Sequence, residues 1–177
     1  MASPQFIARA AGALYVLSVS TAVTGEILAP GKFGIAAVVI PVLCYLGVTL
    51  LLYLLFKPVN KNISLLAVCL QVVALALEAF QWQPRGVSVG MVFHGLYCLA
   101  IGYLILRSTF LPRILGALMA LAGLVWLIYL SPPLANFVSP YNTVVGLVGE
   151  ASPMLWLLVM GVRLNDGVSK PAQPEEA

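Results

Sequence analysis

The sequence predicts an all-α fold, a polytopic bundle of six transmembrane helices. Hydrophobic residues occupy 62% of the 177 positions and charged residues only 8%, whereas soluble globular domains carry roughly 25% charged residues. Polar breaks divide the chain into six apolar runs, and each run approaches the roughly 20 residues that a helix needs to cross a bilayer. These runs are continuously apolar, whereas the strands of a membrane barrel alternate between apolar and polar residues, so helices are favoured.

The predicted helices cover residues 7–29, 33–56, 63–83, 87–106, 112–130 and 142–162. In chain order, the breaks between them contain Pro30 and Lys32, Lys57 and Lys61, Pro84 and Gly86, Arg107, and the stretch before Asn142. Pro4 and Pro112 stand where a helix start tolerates proline. Pro41 and Pro153 lie inside predicted helices, which they are expected to kink or open.

Residues 1–162 are therefore expected to form one transmembrane domain with short connectors. Residues 163–177 are rich in Pro, Glu and Lys and are predicted to be a disordered cytoplasmic tail, because this composition cannot bury a core. The first apolar run is too long for the apolar region of a signal peptide, so it is predicted to be an uncleaved first helix.

Lys and Arg in the short loops predict the orientation in the membrane. With six spans, the N-terminus, the second and fourth loops and the C-terminus share one side, which carries Arg9, Lys57, Lys61, Arg107, Arg113, Arg163 and Lys170. The opposite side carries only Lys32 and Arg85. The positive-inside rule then predicts that both termini are cytoplasmic, as in a protein of the cytoplasmic (inner) membrane. The lipid bilayer is the expected partner, and no basic face indicates nucleic acid.

Three acidic side chains and the single histidine lie inside predicted helices: Glu26, Glu78, Glu150 and His94. A charge at the centre of a membrane helix costs about 2.5–3.5 kcal/mol, so these groups should be paired, protonated, hydrated or near an interface. At about 1.5 Å per residue, they lie about 6, 9, 12 and 12 Å below the outer loops. Their similar depth predicts a common polar cluster in the outer leaflet.

Helical periodicity adds further residues to this candidate ligand-binding cluster. Glu78 shares a stripe with Gln71 and Trp82, and His94 shares one with Tyr97, Cys98 and Ile101. The candidate set is therefore Glu26, Glu78, His94, Glu150, Gln71 and Cys98. Within it, His94 is expected to hydrogen-bond a carboxylate on a neighbouring helix.

Each of these residues also has a structural explanation. Glu26 is near enough to the surface to extend its carboxylate to the interface, and His94 could make a hydrogen bond that serves only packing. Small residues of the fourth and fifth predicted helices indicate close helix approach, namely Gly95, Gly102, Gly116, Ala120 and Gly123.

No metal site and no cofactor are predicted. Cys44, Cys69 and Cys98 lie in three different predicted helices without paired spacing, so the sequence supports neither a disulfide framework nor a zinc motif. Cys98 follows His94 by four residues, but the Glu-x-x-His motifs of di-iron bundles are missing.

Several stretches resemble a known bacterial membrane family. FKPVNKNISLLA, GLYCLAIGYLILRSTFLPRILGALMALAGLVWL, GEASPMLWLLVMGV and the opening ARAAGALYVLS are similar to the family catalogued as domain of unknown function 4386. The resemblance covers nearly all of the chain except its tail, and the stretch RSTFLPRILG is its most specific part. It implies a multi-pass membrane protein and supplies no activity.

The sequence leaves three functions open. The leading hypothesis is a protein that binds or moves a small hydrophobic or amphipathic molecule through an outer-leaflet polar pocket. The first alternative is a membrane enzyme in which Glu and His perform acid–base chemistry on a lipid or isoprenoid. The second is a structural or assembly subunit of a membrane complex, in which the polar residues fix only helix register. The residues identify neither a substrate nor an oligomeric state.

Overall fold

The fold is entirely helical over the part of the chain that the structure describes. The structure, a computed structural model, describes residues 3–24, 36–80 and 82–162, and no strand occurs in these ranges. Six of its helices are long and apolar enough to cross a membrane. The predicted fold class, a six-helix transmembrane bundle, is confirmed, whereas the orientation in the membrane stays a prediction.

The helices in chain order are α1 (Pro4–Val23), α2 (Ala36–Phe56), α3 (Lys61–Ala79), α4 (Val89–Arg107), α5 (Arg113–Trp126), α6 (Pro132–Val138) and α7 (Tyr141–Val159). Short 3₁₀ turns cover Pro84–Gly86 and Leu127–Leu130. The sequence analysis did not predict α6, a seven-residue helix that occupies the connector before α7. Its first two residues are prolines, which fit the first turn of a helix because that turn needs no backbone donor.

Side-chain caps fix the starts of two spans. The Ser3 hydroxyl accepts a hydrogen bond from the Phe6 backbone N–H at 3.2 Å, and the Asn60 side chain accepts one from the Ile63 N–H at 3.1 Å. Both satisfy backbone donors that a helix start otherwise leaves unpaired. The polar residues Ser3 and Asn60 therefore mark the starts of α1 and α3 because they interrupt the apolar sequence and because they cap the helices with hydrogen bonds.

α3 ends earlier than predicted. It stops at Ala79 rather than at residue 83, so that Trp82 lies beyond the helix with 54% of its surface exposed. The predicted stripe that joined Trp82 to Gln71 and Glu78 is therefore wrong. A helical spacing rule applies only while the helix continues, and here the chain has already turned toward α4.

The six spans form a closed ring. α1 packs against α2, α2 against α3, α3 against α4, α4 against α5, α5 against α7, and α7 back against α1. The closing seam is joined by a reciprocal pair of hydrogen bonds, because the Gln5 amide donates to the Val162 carbonyl and accepts from the Val162 N–H. At the same seam, a Cβ added to Gly12 would lie 2.6 Å from the Met154 carbonyl oxygen, so the two backbones are in close contact.

Glycines also set the tight seam between α4 and α5. A Cβ on Gly95 would lie 2.8 Å from the Gly123 carbonyl oxygen, and one on Gly102 would lie 2.9 Å from that of Gly116. Real side chains do not approach a backbone oxygen so closely. The close approach predicted from these small residues is confirmed.

The outer faces of the spans are apolar and exposed, as lipid contact requires. Leucines on four of the helices have about half of their surface exposed, among them Leu50, Leu54, Leu65, Leu66, Leu124 and Leu155. In water such a surface would be unfavourable, whereas in a bilayer it faces hydrocarbon. Buried polar side chains such as Gln71 and Glu150 lie on the inner faces.

α2 and α7 continue through their internal prolines. Pro41 lies inside Ala36–Phe56 and Pro153 inside Tyr141–Val159, and each helix is continuous. Neither helix therefore opens at its proline, whereas a kink stays a prediction. A single lost backbone hydrogen bond is tolerated in a membrane helix where neighbouring helices pack around it, and Pro153 is buried in this way.

Candidate functional site

Each of the six spans contributes at least one polar or aromatic side chain to a cavity inside the ring. The cavity has a volume of about 250 Å³. These six lining residues are Tyr15 on α1, Tyr45 on α2, Gln71 on α3, His94 on α4, Trp126 on α5 and Glu150 on α7. Because the contributors are spread over the whole chain, only the completed ring brings them together.

A chain of hydrogen bonds crosses the centre of the ring. His94 Nδ1 lies 3.0 Å from Gln71 Oε1, and His94 Nε2 lies 3.2 Å from Glu150 Oε2. The Tyr45 hydroxyl donates to the other oxygen of the Glu150 carboxylate. We call Tyr45, Gln71, His94, Cys98 and Glu150 the central cluster.

The partners of His94 determine which of its nitrogens carries hydrogen. Gln71 presents its amide oxygen, which can only accept, so Nδ1 is the N–H donor of this contact. Nε2 then faces the Glu150 carboxylate, and the two groups share one proton. The hydrogen bond has the same two partners whether that proton is on the imidazole or on the carboxyl group.

Burial makes these contacts necessary. Glu150 is 3% exposed and Gln71 is 1% exposed. An unpaired carboxylate at such a position would be strongly unfavourable, because almost all of its surface is withdrawn from bulk water. His94 and Tyr45 together satisfy both oxygens of Glu150.

Aromatic rings enclose His94 on three sides. The ring centroids of Tyr45, Tyr97 and Trp126 lie 5.6, 5.8 and 6.0 Å from the imidazole centroid. Aromatic faces and edges at this range hold the imidazole in one orientation. The imidazole is therefore fixed by packing as well as by hydrogen bonds.

Cys98 adds a thiol to the same point. It lies one helical turn after His94 on α4, is fully buried, and places its sulfur 3.6 Å from His94 Nε2. Donor atoms of His94, Cys98 and Glu150 all lie within 4.8 Å of one another. One nitrogen, one sulfur and one carboxylate oxygen thus converge inside the ring.

Glu78 lines the same cavity but belongs to a different arrangement. Its carboxylate lies against the first turn of α4, where it accepts a hydrogen bond from the Met91 backbone N–H. A Cβ on Gly90 would lie 2.5 Å from Glu78 Oε1, so the glycine leaves room for the acid. A negative charge is stabilised at a helix N-terminus by the unpaired N–H groups and the helix dipole, which gives Glu78 a structural role.

The six residues proposed from sequence therefore divide into three groups. Gln71, His94, Cys98 and Glu150 contact one another in the central cluster. Glu78 borders the cavity, and Glu26 lies outside the described residues. A ligand-binding role for any of them stays a prediction.

Sequence reasoning missed Tyr45 and Trp126 as members of the site. Tyr45 lies in the middle of a long aliphatic run, whereas tyrosines of membrane proteins are enriched at the interfaces. That position is a signal of an inward-facing hydroxyl. Trp126 carries no comparable signal, because it lies near the end of its apolar run, where an interfacial tryptophan is expected.

Two buried donors of the cavity wall have no hydrogen-bond partner among the residues that the structure describes. They are the Tyr15 hydroxyl and Trp126 Nε1, on side chains only 3% and 4% exposed. Both residues line the cavity together with His94 and Glu150. The cavity therefore combines a satisfied hydrogen-bond chain with two unsatisfied donors.

The fold and the central cluster define a multi-pass helical membrane protein with a polar cavity inside its ring of spans. Residues 71–161 match the family model described as "Domain of unknown function (DUF4386)". A protein of Archaeoglobus fulgidus, described as an uncharacterized protein, is 30% identical over 158 residues, which is 81% of this chain and 93% of that protein. The chain therefore belongs to this family of unknown function, as its resemblance implied. No solved structure matches the chain.

Proposed function

We propose that the protein binds a small amphipathic molecule within the membrane, with the polar end of that molecule in the cavity. The observation that supports this most directly is the pair of unpaired donors, Tyr15 and Trp126, on the cavity wall. Leaving a buried donor without a partner costs about 1–3 kcal/mol. A ligand oxygen that accepts from both groups would remove this cost.

The chemistry of the wall indicates the class of ligand. An indole N–H can only donate, and the cavity already contains the Glu150 carboxylate. An anionic ligand would be repelled, so a neutral acceptor such as a carbonyl, ester or ether oxygen fits best. The remaining wall is apolar and suits a hydrocarbon part; it includes Val19, Ala22, Ala74, Leu75, Met91 and Leu147.

The size of the cavity limits what can be enclosed. At about 250 Å³ it lies just below the roughly 300–1,000 Å³ of ordinary small-molecule pockets. A whole phospholipid does not fit this volume. A small molecule, or the polar end of a longer chain that extends between the helices, does.

The test is to purify the full chain from membranes in mild detergent and identify co-isolated molecules by mass spectrometry. We expect one neutral amphipathic species, enriched over bulk lipid, at close to one per chain. Trp126→Phe and Tyr15→Phe each remove one donor and keep the ring, so each should weaken its binding about 2- to 10-fold.

Trp82→Phe is the matched control, because Trp82 is exposed beyond the end of α3. It should bind the species as well as the wild type does. Wild-type protein with no species enriched over bulk lipid, or equal retention by all three variants, would contradict the proposal.

A second candidate function, an acid–base enzyme, is favoured by the shared proton of His94 and Glu150. A group that can give a proton next to one that can take it is what general acid–base catalysis uses, and both residues border the cavity. His94→Gln and Glu150→Gln should then change the lipid or isoprenoid profile of the host. An unchanged profile in host cells that contain the folded variants would eliminate the enzyme.

A further inference from the structure

We propose that His94, Cys98 and Glu150 form a binding site for a zinc-class metal ion at the inner end of the cavity. The ligand atoms are His94 Nε2, Cys98 Sγ and Glu150 Oε2. This inference goes beyond the proposed function, since an amphipathic molecule could bind to the cavity wall without any metal.

Two of the three donor spacings match a tetrahedral zinc site. Zinc bonds of about 2.0–2.1 Å to nitrogen, 2.3 Å to sulfur and 2.0–2.2 Å to oxygen, at tetrahedral angles, place N and S about 3.6 Å apart and N and O about 3.3–3.5 Å apart. The observed distances are 3.6 Å from Nε2 to the Cys98 sulfur and 3.2 Å from Nε2 to the Glu150 oxygen. The third pair, the Cys98 sulfur and the Glu150 oxygen, lies within 4.8 Å, against about 3.6 Å in such a site, so these two side chains would move closer together when the ion binds.

The residues behind two of the ligands hold them in the orientation that a metal needs. Gln71 accepts from the Nδ1–H of His94, which leaves Nε2 as the nitrogen with a free lone pair once its proton is displaced. Tyr45 donates to one oxygen of Glu150 and leaves the other facing His94 and Cys98. Metal-binding histidines and carboxylates usually have such supporting hydrogen bonds.

Charge balance inside the membrane favours the same conclusion. A divalent ion displaces the thiol proton of Cys98 and the proton shared by His94 and Glu150, and both protons leave to solvent. The thiolate and the carboxylate then cancel the charge of the ion. A neutral site is far less costly in a lipid-surrounded interior than one with net charge.

The donor set selects the class of metal. Calcium and magnesium prefer oxygen ligands, whereas a thiolate combined with an imidazole suits zinc and its softer neighbours. Three protein ligands leave a fourth position, and His94 and Glu150 border the cavity. That position is therefore available to water or to an oxygen of a bound molecule, as in open zinc sites.

The first experiment measures metal content and affinity in the full chain purified in detergent. After incubation with Zn²⁺ and removal of the excess, elemental analysis should find about one zinc per chain in wild-type protein. Cys98→Ser, which keeps the size of the side chain, should bind Zn²⁺ at least about 100-fold more weakly. Gln71→Leu, which removes only the support of His94, should weaken binding about 10- to 100-fold.

Cys69→Ser is the matched control, because Cys69 is an exposed cysteine on α3. It should keep the zinc content and affinity of the wild type. Fewer than about 0.1 zinc per loaded wild-type chain, or equal affinities of wild type and Cys98→Ser, would overturn the site.

A second measurement uses only wild-type protein, so its result does not depend on whether a variant folds. Wild-type protein is stripped with a chelator and reloaded with Co²⁺, and its absorption spectrum is recorded. A thiolate-to-cobalt charge-transfer band together with the visible bands of tetrahedral cobalt is expected. Bound cobalt without the thiolate band would overturn the assignment of Cys98. Loss of the zinc site with retention of the amphipathic molecule would refute this inference and leave the proposed function standing.

Discussion

Separating His94 from Glu150 tests the physical basis of the central cluster. We consider the two single replacements His94→Leu and Glu150→Leu and the double replacement, all three of which keep approximate side-chain volume. Glu150→Leu removes the hydrogen bonds to His94 and Tyr45, and His94→Leu removes those to Glu150 and Gln71. The double variant removes all of them and leaves no unpaired charge.

The expected coupling follows from burial. Hydrogen bonds between membrane helices average about 0.6 kcal/mol and reach about 1.7 kcal/mol. The contact of Nε2 with Oε2 joins two ionisable groups, and Glu150 is almost fully buried. We therefore expect a coupling free energy at the upper end, about 1–2 kcal/mol, and a double variant more stable than the sum of the single effects predicts.

The assay is reversible unfolding in mixed micelles, with a chelator present so that metal binding does not contribute. The control is the Tyr129 and Thr143 pair, whose hydroxyls lie 3.4 Å apart and carry no charge. Its coupling, measured with Tyr129→Phe and Thr143→Val, should be about 0.5 kcal/mol or less. If the His94 and Glu150 coupling were no larger than that of the control, the argument that burial makes this pair strong would be refuted.

Three further predictions concern packing, the second acid and topology. Gly102→Ala should lower the free energy of unfolding by about 1–3 kcal/mol, because its Cβ would lie 2.9 Å from backbone atoms of α5. Gly47→Ala is the control and should lower it less, because its Cβ meets only the flexible end of Leu14. Equal decreases for the two variants, measured by unfolding in micelles, would contradict this. Glu78→Gln should destabilise the protein by about 0.3–1 kcal/mol, because it removes a negative charge from the N-terminus of α4. The zinc content should stay the same, and a lower zinc content would show that Glu78 does more than stabilise the helix end. A green fluorescent protein fused to the C-terminus should fluoresce and a periplasmic phosphatase fused there should be inactive, since the basic residues predict a cytoplasmic C-terminus; the reverse pattern would contradict the topology.

The sequence was sufficient to predict the membrane spans because a helix in lipid must be apolar along its whole length. Six continuous apolar runs led directly to α1 through α5 and α7. The same reasoning overlooked α6, since a seven-residue helix in a connector is too short to carry a periodic pattern. It also placed the end of α3 four residues too late, because the chain turns before its polarity changes.

Depth was informative for the site, whereas lateral position was not. Counting from the loops placed His94 and Glu150 at one level, and the structure brings them into contact. The same count could not separate Glu78, which contacts the start of the following helix. It could not associate Cys98 with Glu150 either, since the two lie on helices that only the closed ring brings together.

The order in which the chain is made gives the closed ring a consequence for biogenesis. α7 leaves the ribosome after the other five spans, and it supplies the Glu150 carboxylate that faces His94. Until α7 inserts beside α1, the imidazole of His94 lies on an incomplete wall of the cavity that is open to lipid. Insertion of α7 thus gives the imidazole its carboxylate partner and closes the ring in the same step. A nascent chain that stops before α7 would keep an unpaired imidazole in an open bundle, which quality-control proteins of the membrane could recognise.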